Sequence, residues 1–140
     1  MPSTYHVDPE QELILVRPTG RFTETAFIQL CRALYDDPDR EPSFSVIWDT
    51  RDIDELVMDA DVIPEYKTFL RENEDRLTQG PIAIIADRAL TKTFASMITQ
   101  VGNELVGACE IVSTPDEAAQ WLDIPNSALS DLPTPRRVDV

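Results

Sequence analysis

The sequence predicts a single α/β domain, with a mixed β-sheet that opens as an antiparallel hairpin and continues as alternating strands and helices. Three observations predict it. Between residues 8 and 122, short apolar runs alternate with stretches whose apolar residues recur at helical spacing. Residues 82–86 form an unbroken apolar run, as a strand buried on both faces requires. Thr114, Pro115 and Glu117 stand as cap, first helical residue and third helical residue ahead of Ala118, Ala119, Trp121 and Leu122, which is a capping box with the favoured proline.

Each element follows in order. Residues 5–7 and 12–16 read as strands around a turn of Asp8, Pro9, Glu10 and Gln11. Pro18, Thr19 and Gly20 break the second strand, and Thr23 caps a helix carrying Ala26, Phe27, Leu30, Cys31, Leu34 and Tyr35 at helical spacing. A polar loop over 36–42 precedes a central strand at 43–48. An apolar connection holding Leu56, Val57 and Met58 leads to a helix over 61–77, with Pro64 in its first turn. After the strand at 82–86, Leu90, Phe94, Met97, Ile98, Val101 and Leu105 trace a helical stripe up to Gly107, and residues 109–112 make a last short strand. The capped helix closes the domain at residue 122. Beyond it, residues 123–140 hold Pro125, Pro133 and Pro135 without helical periodicity, so this tail is expected to be extended and docked on its own domain or on a partner chain.

A chain of 140 residues suits one core without disulfides or a structural metal. Its 26 acidic and 12 basic residues give a net charge of −14, which repels phosphate backbones and anionic membranes, so nucleic acid is excluded as an expected partner. The basic residues are mostly arginine, with Lys67 and Lys92 as the lysines; an acidic, lysine-poor surface fits high-salt adaptation, and an arginine-rich codon bias gives the same composition. Cys31 and Cys109 read as small buried hydrophobes with free thiols, which fits a reducing compartment. No run approaches the roughly 18 apolar residues of a spanning helix, and residues 1–4 lack a signal-like region. The expectation is a soluble, cytoplasmic protein.

The order hairpin, helix, strand ending in Asp49, Thr50 and Arg51, helix, apolar strand, helix, short strand, and a closing helix of Glu117, Ala118, Ala119, Gln120, Trp121 and Leu122 resembles the SpoIIAA-like family of the STAS and SEC14-like group. The resemblance covers about residues 5–122. It implies a non-enzymatic class whose relatives act as anti-sigma-factor antagonists, transporter-associated regulatory domains or lipid-handling modules. Where the antagonists carry a phosphorylatable serine, this chain has Val57, Met58, Asp59, Ala60 and Asp61, so no phosphorylation site carries over.

Candidate site residues fall in two groups. Asp49, Thr50 and Arg51, joined by Asp87 after the next strand, stand at the carboxyl ends of central strands, where open α/β sheets expose their ligand crevice. An ion pair with loop capping is the alternative reading for the first three, and a helix cap for Asp87. Met58, with Tyr66 and Phe69 beyond it, lies in or after the apolar connection, which is read as core packing, as a protein interface, or as a lid over an apolar ligand. His6 is the single histidine and has no cysteine beside it, so no metal site is expected; no glycine cluster suggests a phosphate loop, and no cofactor is expected. The function expected is a binding or regulatory module acting through protein contacts or an apolar, lipid-like molecule, and assembling as a homodimer. The alternatives are a small enzyme or anion binder using Asp49, Arg51 and Asp87, and an antagonist lacking its serine.

Overall fold

A computed structural model describes residues 3–138; the outermost two positions at each end, which open the expected domain and close the expected tail, lie outside the described residues. The hairpin forms as β1 (Ser3–Asp8) against β2 (Leu13–Arg17), antiparallel, with Asp8 accepting from the Glu10 and Gln11 amides to make the turn. Strands β4 (Ser45–Asp49), β6 (Ile82–Ile85) and β7 (Cys109–Val112) then add in parallel beyond β2. On the other side of β1 stands β8 (Arg136–Val138), giving a six-stranded order β7-β6-β4-β2-β1-β8 in which β1 alone runs against the rest.

Period-two alternation sorts the sheet residues onto two faces. Ile14, Val16, Val46, Trp48, Ile82 and Ile84 face the larger core, which is covered by α1 (Glu24–Tyr35), α2 (Val62–Glu72) and α3 (Ala89–Leu105). Leu13, Leu15, Ile47, Ala83 and Ile85 face the smaller core, covered by α4 (Pro115–Leu122) and by Ile124, Ala128, Leu129 and Leu132. The result is three layers with a sheet buried on both sides. Phe22, Phe27, Trp48, Tyr66 and Phe94 meet in the larger core with ring centroids 5.0 to 6.5 Å apart, edge-on except for the tilted Phe27–Trp48 pair.

Four details depart from the sequence reading. The segments expected as a strand break and as an apolar connection pair with each other: β3 (Gly20–Thr23) and β5 (Ile53–Val57) form a parallel two-stranded sheet. Gly20 permits this by taking φ 67° while its amide bonds the Asp52 carbonyl. Helix α2 stops at Glu72 rather than 77, because Asn73 turns its side-chain amide back to the Phe69 carbonyl and a 3₁₀ turn over Glu74–Arg76 follows. Leu90, placed on the α3 stripe, lies exposed in that helix's first turn. Finally, the tail, docked on its own domain, is not extended throughout: Asn126–Leu129 forms a 3₁₀ turn before β8 pairs with β1 and Arg136 bonds Asp37 and, at 2.6 Å, Asp39.

Both cysteines are free; Cys31 is buried and Cys109 half-buried, and burial pushes the Cys31 thiol well up and the Cys109 thiol to about 11, so both stay protonated packing groups. Among the described residues no helix is long and apolar enough to cross a membrane.

Candidate functional site

Because β2, β4 and β6 run parallel, their carboxyl ends share one edge of the sheet, and Arg17, Asp49 and residues 86–88 gather there. Asp49 is 2 % exposed and ionised. Burial alone would push its carboxyl up; the fork of Arg51, with Nε at 2.9 Å and Nη2 at 2.8 Å, the Arg51 amide at 3.2 Å and the Arg17 guanidinium at 3.8 Å outweigh burial and hold it below the ordinary value. Thr50 is fully buried, and its hydroxyl donates to the Ile85 carbonyl at 2.6 Å, tying β4 to β6. Arg88 donates to the carbonyls of Arg51, at 3.3 Å, and of Ile53, so it clamps the turn between β4 and β5 onto the start of α3. Asp87 is exposed, pairs with Arg88 at 3.5 Å, and adds its negative charge to those around Arg51. Arg88, rather than Asp87, occupies the cap position of α3.

The sheet edge thus brings together Asp49, Thr50, Arg51 and Asp87, and its opposite charges answer one another. Asp49 and Arg51 satisfy each other, and a carboxylate held this way is a poor proton acceptor at neutral pH. A shallow depression of about 380 Å³ beside them is lined by Thr19, Gly20, Arg51, Asp52 and Asp54. Arg17 went unnoticed in the sequence because nothing local marks a strand-ending arginine; only the register of β2 against β4 brings it to Asp49.

The second group divides. Tyr66 and Phe69 are core residues on the buried side of α2, their rings 5.0 Å from Phe27 and 5.1 Å from Tyr35. Met58 is half-buried and packs against the edge of that core together with Leu56. With Val57, Glu24 and Asp59 these two line a shallow depression of about 420 Å³ where β5 passes into α2. Glu24, in the first turn of α1, is met there by Glu65, from the first turn of α2. Its hydrogen bond to the Glu65 carboxyl, its burial and the charges of Glu65, Asp59 and Asp61 push Glu24 up to about 7. This acidic group is invisible in the sequence, since Glu24 and Glu65 belong to different helices.

Among the described residues no group of three or more His, Cys, Asp or Glu side chains could hold a metal ion. Comparison with known proteins finds no matching family model, no matching curated protein and no matching solved structure.

Proposed function

We propose that this chain is a non-enzymatic binding or regulatory module of the SpoIIAA-like kind, working through contact with another protein. The observation that carries the reading is the face at the start of α2, where Leu56, Val57 and Met58 lie half-buried in succession around an open depression. Apolar side chains left part-covered at one place favour a partner that completes their burial. An interior lipid-like ligand has less support, because Tyr66 and Phe69 are spent on the core and the apolar recess beside Leu70, Leu77 and Leu105 measures about 110 Å³, well below a small-molecule pocket. Catalysis at the sheet edge is disfavoured by the mutual neutralisation of Asp49 and Arg51. The tail docks on its own sheet, which leaves the apolar face as the feature that favours a homodimer.

Paired affinity capture tests the reading, with the wild-type chain and its Leu56→Ser, Met58→Ser variant as baits. A protein held by the wild type and lost from the folded variant is expected. Native mass spectrometry that instead finds an adduct of lipid mass, released on denaturation, would overturn the reading in favour of a carrier.

A further inference from the structure

Among the described residues, Glu24, Asp59, Asp61 and Glu65 have no arginine or lysine in ion-pair contact. Elsewhere some carboxylates are paired, Asp49 with Arg51, Glu55 with Arg21, Glu104 with Lys67, Asp36 with Arg76, Asp37 and Asp39 with Arg136, and others, such as Asp116 and Asp131, are not. What sets the four apart is that they gather: Glu24 and Asp59 line the depression together with Leu56, Val57 and Met58, and Asp61 and Glu65 act on Glu24. A face with an apolar floor and an acidic rim is complementary to a basic, amphipathic surface. A second copy of this chain would bring the same carboxylates against themselves, and an anionic membrane or nucleic acid would be repelled.

We infer that this face receives a segment of a partner protein in which lysine or arginine alternates with apolar residues, the cations meeting Glu24, Asp59, Asp61 and Glu65 and the apolar side chains covering Leu56 and Met58. The inference rests on the protein-contact reading above and names the chemistry of that contact. It also gives the contact a pH dependence. The charged groups around Glu24 are Glu65 on α2 and Asp59 and Asp61 on the connection, all carboxylates, and an arriving cation displaces the proton Glu24 holds near pH 7. Binding therefore tightens from pH 6 to pH 8.

Isothermal titration calorimetry with two synthetic peptides tests this: an amphipathic lysine and leucine peptide, and a second of equal charge with serine in place of leucine. The first is expected to bind the full chain, the second at least about tenfold more weakly. Glu24→Gln, Asp59→Asn, Glu65→Gln together are expected to cost the first peptide at least about tenfold and to remove its pH dependence, while Asp116→Asn, Asp131→Asn leaves both unchanged. Thermal melts establish that each variant is folded, which removing mutual repulsion favours. Equal binding of both peptides, or equal loss in the Asp116, Asp131 variant, overturns the inference as mere attraction to a net charge of −14. A partner captured through Leu56 and Met58 while neither peptide binds overturns the basic partner and leaves the contact reading standing; a lipid adduct with no captured partner overturns both.

Discussion

Asp49 keeps its charge at 2 % exposure chiefly because the Arg51 fork is two residues away on the same turn. Its carboxyl lies below the ordinary value of 3.8, so the pair's contribution is present above that value and is lost as pH falls through the lowered one. Replacing the guanidinium by an apolar chain leaves a buried carboxylate with the Arg17 guanidinium, at 3.8 Å, as its remaining cation. Arg51→Met is expected to cost about 2 kcal/mol in urea denaturation at pH 7, and less as the pH falls through the lowered value and Asp49 takes up its proton in the folded state too. Glu24 has the opposite sign. Raised from 4.5 to about 7, it favours the folded state fully below 4.5, and that contribution is lost as pH climbs to 7. Glu24→Gln should therefore flatten the fall in stability between pH 4.5 and 7, read as denaturation midpoints across a buffer series; an unchanged slope would separate Glu24 from the acidic rim.

At the scale of elements, close backbone crossings decide what side chains are allowed at the amino ends of the strands. A Cβ on Gly107 would stand 2.3 Å from the Gly80 carbonyl oxygen, and one on Gly80 would stand 2.3 Å from that of Phe44. Neither neighbour is a side chain that can swing away, so Gly107→Ala is expected to lower stability by about 3 kcal/mol, measured as a drop in melting temperature. Such crossings, like the β3–β5 pair, are illegible in the sequence. Phe22 sits on a four-residue strand beginning with glycine, and β5 interrupts its apolar residues with Asp54 and Glu55, so neither shows alternation long enough to recognise. Where signals are local they read well: Thr114 accepts from the Glu117 amide at 3.2 Å, and the Glu117 carboxylate reaches back, to Ser113 rather than to the cap itself, at 3.0 Å. The candidate residues follow the same rule. Asp49 and Arg51 find each other within one turn, whereas the partners of Glu24 arrive from another helix.

For the whole molecule, the last sixteen described residues are structural. Ile124, Ala128, Leu129 and Leu132 cover the second face of the sheet, and Arg136 ties β8 to the loop after α1 through Asp37, which Tyr5 also bonds at 2.9 Å. A chain ending at Leu122 would expose Leu13, Leu15 and Ile47 to water, and it is expected to unfold at markedly lower temperature and to bind a hydrophobic dye that the full chain does not. The pairing of Ser3 with Val138 has a mechanical consequence. Force applied between these two residues acts across the strands, so the β1–β8 ladder opens rung by rung as a zipper instead of resisting together in shear. Once Arg136 has let go, the segment back to Leu122 can pay out about 50 Å of slack before α4 and the parallel strands begin to bear tension. A pull that reaches the molecule through these positions is thus absorbed first at the seam, leaving the acidic face at the start of α2 intact.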